Sequence, residues 1–131
     1  PGTYYDAFPL MVMTTAALAA LARALPESNV DVRRFRPSLV IETGDDSTSA
    51  STPGHPEFDW RGRRATIGTA TIQFDAPCPR CVMVTRQIDE RIPPDRAVLR
   101  HIVRDLDQNL GVYATIVEPG VVTVGDRLTL V

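Results

Sequence analysis

Eleven prolines and eight glycines are spread through 131 residues, and they cut the chain into short segments that favour many turns over long helices. Only two stretches carry a helix pattern. The first is Ala16–Leu25, rich in the strongest helix formers, with Thr14 or Thr15 as its hydroxyl cap and Pro26 as its stop. Leu18, Leu21, Ala22 and Leu25 share one face of it. The second is opened by Pro93-Pro94-Asp95 and runs from Arg96 to about Asn109. Leu99, Ile102, Val103, Leu106 and Leu110 recur at helical spacing, and Gly111 ends it. His101 lies off that stripe and reads as a solvated helix residue.

Most of the remainder reads as strands. Phe8–Met13, Leu39–Ile41, Ala65–Ile67, Ala70–Phe74 and Val82–Val84 have strand length and composition. Val112–Val117, Val121–Val124 and Arg127–Val131, joined by turns at Glu118-Pro119-Gly120 and Gly125-Asp126, read as a closing meander. The polar run between Thr43 and Glu57 has no periodicity and is long for a connection, so a mobile loop or lid is expected there. A mainly β fold with two helices follows, as one domain spanning 1–131. At this size folding removes roughly two-thirds of the unfolded chain's surface from water, so a core needs no disulfide support.

The net charge of −2 gives no electrostatic footing for nucleic acid. All 14 basic residues are arginine. The absence of lysine excludes a Schiff base to pyridoxal phosphate or to a carbonyl substrate, whereas arginine suits planar, bidentate binding of phosphate or carboxylate. No apolar run approaches the ~20 residues of a membrane helix, and no basic segment precedes the first apolar run as a signal peptide requires. A soluble, cytoplasmic protein without membrane attachment is the expectation. The chain begins at Pro1 rather than Met, which suggests a processed or partial sequence.

Both cysteines lie in Pro77-Cys78-Pro79-Arg80-Cys81-Val82-Met83. A structural zinc site needs about four ligands, and two cysteines with two dispersed histidines barely supply them. A thioredoxin-like pair wants the motif at the start of a helix, but Val82–Thr85 reads as a strand. A single thiolate, favoured by the neighbouring guanidinium, fits the strand edge and a soft metal.

Several blocks taken in order resemble the MOSC domain, found at the C-terminus of molybdenum cofactor sulfurases and in amidoxime-reducing molybdenum enzymes. They are Arg34-Phe35-Arg36-Pro37-Ser38-Leu39-Val40-Ile41, Trp60 leading to Ile67-Gly68, the Cys78–Cys81 segment, Gly111-Val112-Tyr113-Ala114, and Pro119-Gly120-Val121-Val122-Thr123-Val124-Gly125-Asp126. The resemblance spans nearly the whole chain and implies a β-barrel with two flanking helices and a molybdenum-pterin cofactor. It places the metal thiolate on Cys81 and cofactor contacts on Arg34, Arg36, Ser38 and Arg80. Ser38 stands where the family usually has asparagine. Asp59 or Glu57, ahead of the tryptophan, is the candidate proton relay. The implied reaction is two-electron reduction of an N-oxygenated small-molecule substrate, served by an electron-transfer protein. A second reading makes Cys81 a persulfide carrier fed by a sulfur-donor protein. A third leaves the thiol pair structural. Family members also carry sequence before the point where this chain starts, with further cofactor contacts.

Overall fold

The computed structural model describes residues 10–43, 52, 54–88, 92 and 94–131. The expected turn at Pro1-Gly2, the start of the Phe8 strand and most of the expected lid, at 44–51 and 53, lie outside the described residues. The fold is mostly β, with one curled six-stranded sheet and two helices.

The chain enters the sheet at β1 (Leu10–Thr14) and passes without a loop into helix α1 (Thr15–Ala24). Thr14 is the cap, its Oγ1 accepting from the Ala17 N–H at 3.1 Å. Ala17 and Leu21 are buried and Leu18 and Leu25 pack at the margin, whereas Ala22 is exposed and off the expected face. A 3₁₀ turn at Val32–Arg34 then leads to β2 (Leu39–Ile41), which pairs parallel to β1. A second 3₁₀ turn, Pro56–Trp60, precedes the hairpin of β3 (Arg64–Ile67) and β4 (Ala70–Pro79). After helix α2 (Arg96–Asp105) come β5 (Asn109–Glu118) and β6 (Leu128–Leu130), giving the order β2-β1-β5-β4-β3-β6.

The sheet separates two apolar clusters because side chains alternate across it. Met11, Met13, Phe35, Cys78 and Leu110 pack with α1 and α2 on one side. Val12, Ile72, Phe74, Val112 and Ala114 pack on the other. Among the described residues the barrel does not close. The edges β2 and β6 instead face each other across an open groove of about 990 Å3, lined by Ser38–Thr43, Ile67 and Val122–Leu128.

Four expectations are corrected by tertiary contacts. Helix α2 stops at Asp105 rather than near Asn109, because Asp107 and Gln108 take positive φ (52° and 70°) and reverse the chain into β5. Val82–Thr85 forms a 3₁₀ turn rather than a strand, closed by the Val84 N–H on the Cys81 carbonyl. Strand β4 runs on to Pro79 rather than ending at Phe74, so Cys78 lies in the strand. Val121–Val124 is not a strand. It crosses the β3–β4 turn, where the Thr69 N–H bonds the Val121 carbonyl, and this delivers β6 to β3 rather than to β5 as a meander requires.

Gly111 does not end a helix. It lies in β5 with φ +78°, and an added Cβ would stand 2.7 Å from the Met11 sulfur and 3.0 Å from the Val12 carbonyl oxygen. Gly62 has φ +81° but nothing within 4 Å. Gly62→Ala should therefore cost only the left-handed backbone penalty, about 1 kcal/mol. Gly111→Ala should cost about 2–4 kcal/mol because overpacking adds to it. Urea denaturation midpoints of the two variants check the ordering.

Candidate functional site

Arg80 organises the region. It is 9% exposed, and its guanidinium donates inward. Nε donates to the Leu110 carbonyl at 2.9 Å, one terminal nitrogen to the Phe35 carbonyl at 2.9 Å, and the other to the Met11 sulfur at 3.1 Å. The charge also lies 5.8 Å from the Phe35 ring centroid. On the backbone, the Arg80 N–H bonds the Gln108 carbonyl and the Gln108 side-chain amide returns to the Arg80 carbonyl at 3.0 Å. One side chain thus ties the end of β4 to β1, to β5 and to the turn that carries Phe35.

This tie brings two sequence blocks together. Arg36 follows Phe35 and Cys81 follows Arg80, so the 2.9 Å bond from the Arg80 guanidinium to the Phe35 carbonyl ties the two segments that carry them into one corner of the fold. Both of those residues are exposed. Arg36 has φ +56°, a left-handed conformation that the residue before a proline ordinarily avoids in favour of an extended one. Backbone held in such a region is retained where the surroundings over-determine it, and functional sites are common among those places.

Cys81 is an exposed free thiol and Cys78 a buried one. Pro77 and Pro79 flank Cys78 in β4 and lack the N–H a ladder needs. The register with β5 slips there, from Pro77 opposite Val112 to Pro79 opposite Asn109. Tyr113 sits against this slip, and a hydrogen bond to the Cys78 sulfur, with burial second, holds the pKa of its phenol above the ordinary value. Burial lowers the pKa of Arg80, while Cys78, Tyr113 and Cys81 act in the opposite direction. These four residues form one electrostatic cluster.

The other nominated residues are distributed differently. Arg34 is 2% exposed, with Nε on the Asn29 carbonyl at 2.7 Å and a terminal nitrogen on the Arg86 carbonyl at 3.1 Å. It fastens the chain on either side of the corner. Ser38 bridges to β1, its Oγ accepting from the Met11 N–H at 3.2 Å. It alone of the nominated set lines the groove between β2 and β6. Asp59 is exposed on the Pro56–Trp60 turn. Glu57 is fully buried, with Oε2 accepting from the Thr14 hydroxyl at 2.7 Å and Oε1 facing His55 Nδ1 at 3.5 Å. His55 is itself buried and stacked on Phe58. Thr14, His55 and Glu57 therefore pin the 3₁₀ turn under the start of α1.

Sequence reading passed over Tyr113, Gln108, Thr14 and His55 as site neighbours. Each gains its role through a long-range pairing for which no local pattern is a signal. His101 lies on α2 as expected but is not solvated: its side chain is 14% exposed and bonds Asp105 one helical turn on at 2.8 Å.

Among the described residues no three His, Cys, Asp or Glu side chains converge as a metal cage. A metal bound through Cys81 would have to bring most of its own ligands, as a pterin dithiolene does. The donor set present, one exposed thiol on a segment tied to that of one exposed guanidinium, is compatible with such a group.

A family model of the MOSC domain matches residues 2–129, nearly the whole chain. The chain belongs to the MOSC domain family. Solved structures share the fold at low identity. The crystal structure of a hypothetical protein aligns with TM-score 0.63 and 17% identity, over 94% of this chain and 51% of its own. The crystal structure of YiiM from Geobacillus stearothermophilus aligns with TM-score 0.54 and 17% identity, over 95% and 54%. This chain thus spans about half the length of the structures it matches. No curated protein matches it significantly. No helix among the described residues is long and apolar enough to cross a membrane.

Removing the Arg80 guanidinium strands the Phe35 and Leu110 carbonyls in the core. Arg80→Met should destabilise the fold by about 2–4 kcal/mol, from two buried acceptors left unpaired. Arg80→Lys, which keeps one charged donor, should lose less. Chemical denaturation of the three proteins checks this order.

Proposed function

We propose that this MOSC domain holds a molybdenum-pterin cofactor at the Cys81 corner, with the Cys81 sulfur as the protein's ligand to the metal. The observation that carries the reading is the exposure of the Cys81 thiol directly after Arg80, whose guanidinium bond to the Phe35 carbonyl ties the segment of Cys81 to the segment of the exposed, left-handed Arg36. A guanidinium at that place suits the pterin phosphate by charge and fork geometry. Arg34 and Arg80 act behind it, holding the corner's backbone through their buried hydrogen bonds. Ser38 offers its hydroxyl at the margin of the neighbouring groove.

When bound, the cofactor supplies two-electron chemistry, and the substrate class proposed is an N-oxygenated small molecule. The protein's own part is positional. Asp59, exposed on the Pro56–Trp60 turn, is the proposed proton relay. Glu57, buried and bonded to Thr14, serves the scaffold.

A second reading is favoured by the exposure of Cys81 together with the absence of a protein-only metal cage among the described residues. In it Cys81 accepts sulfane sulfur from a donor protein and passes it on. The readings separate on isolation. Protein expressed in a cofactor-competent host should retain molybdenum and pterin, and Cys81→Ser should lose most of the metal. Arg36→Gln should keep its fold and weaken pterin retention by roughly tenfold or more, the loss of one charge-assisted contact. Molybdenum undiminished in Cys81→Ser would overturn the first reading. A reducible mass increase of one sulfur on Cys81 in molybdenum-free protein would establish the second.

A further inference from the structure

Helix α2 presents a second surface that the cofactor corner does not use. Its buried face is Val98 and Ile102. On the outer face Arg96, Arg100 and Arg104 recur every four residues and so form one row. Beside that row lie Leu99 and Val103, the latter 50% exposed. These five residues and Thr85 line a groove of about 500 Å3 between the helix and the Val82–Thr85 turn.

Among the described residues the charges of this face are unbalanced. At one end Asp95 is committed as the helix cap, its carboxylate accepting from the Ala97 N–H at 2.9 Å. At the other, Asp105 holds Arg104 at 3.2 Å and His101 at 2.8 Å. Between them Arg96 and Arg100 pair with no acidic group among the described residues, and exposed Arg86 follows Thr85 directly. In a chain of net charge −2 this is a concentrated positive rim around an apolar floor. Single exposed arginines are ordinary surface. Aligned arginines beside a concave apolar strip match the pattern of a protein interface, where arginine is enriched and an apolar centre is bordered by charge.

We propose that the α2 groove docks a transient protein partner through an apolar segment bordered by Asp or Glu side chains. The groove admits a few apolar side chains, a size suited to a weak, short-lived encounter of the electron-transfer or signalling kind. Its location gives the docking a purpose. The turn that forms one wall begins immediately after Cys81, and at about 2 Å per residue along a 3₁₀ turn its far wall residue, Thr85, is within roughly 10 Å of that thiol. A partner seated on α2 is thereby placed beside the corner at which electrons or sulfur would be exchanged. The purpose rests on the function proposed for Cys81, whereas the docking stands on α2 alone. A membrane surface fits less well, because only Leu99 and Val103 face outward and the helix's other apolar side chains are committed to the core.

The test is an amide-resolved NMR titration of the cofactor-free chain with a synthetic amphipathic peptide of about twelve residues, Glu and Leu at helical spacing. Expected are shifts confined to Thr85, Leu99, Val103 and their neighbours, and affinity that falls with added salt. The peptide with Gln in place of Glu, and the Arg96→Glu/Arg100→Glu variant, should each bind roughly tenfold more weakly or worse. Circular dichroism of the variant should match the parent, since both positions are exposed. Shifts mapping elsewhere, equal binding of the Gln peptide, or binding to phosphatidylglycerol vesicles in place of the peptide would overturn the proposal. Since no cofactor is present, failure here is distinct from loss of molybdenum in Cys81→Ser.

Discussion

A buried guanidinium with no carboxylate partner among the described residues is the constraint on which the rest of this structure turns. Arg80 spends its donors on two backbone carbonyls and a thioether drawn from three separate parts of the chain. Taking that charge out of water is costly, and the cost is offset only when most of its donors find acceptors. The arrangement can therefore exist only if β1, β5 and the Phe35 turn all arrive together. In return the side chain specifies where the end of β4 sits, and with it where Cys81 emerges.

Around that clip the molecule divides its polar residues between holding and presenting. Arg34 fastens the backbone from within, and Glu57 does the same beneath α1 with Thr14. Cys81 and Arg36 are presented outward from the same corner. The pairing of a committed residue with an exposed neighbour occurs twice, Arg80 with Cys81 and Phe35 with Arg36. Rigid backbone behind a reactive or charged group limits its motion, which is what a site must do for a ligand that carries its own chemistry.

The open sheet belongs to the same picture. Among the described residues β2 and β6 leave their outer edges facing across a groove. Ser38 connects that groove to the corner, lying two residues from Arg36 and bonding Met11, the residue whose sulfur meets Arg80. The MOSC fold shared with longer solved structures thus appears here as a curled sheet whose helices cover one side.

Local chemistry decided much of this protein before any tertiary contact. The caps at Thr14 and Asp95, the Pro26 stop, the strands at Leu39–Ile41 and Ala65–Phe74, the lack of lysine and the ordered motif blocks with their family were all legible, because each depends on neighbouring residues or on residue type. What tertiary structure alone decided follows from pairing over distance. Asn109 and Leu110 continue a helical spacing, yet they belong to β5 because Gln108 is captured by Arg80. Val82–Thr85 has strand composition but folds as a turn against α2, and Val121–Val124 is diverted by the β3–β4 turn. The roles of the arginines were likewise undetermined. A guanidinium is equally fit to clasp carbonyls or to meet a phosphate, and only burial, imposed by the strands around it, separates Arg34 and Arg80 from Arg36.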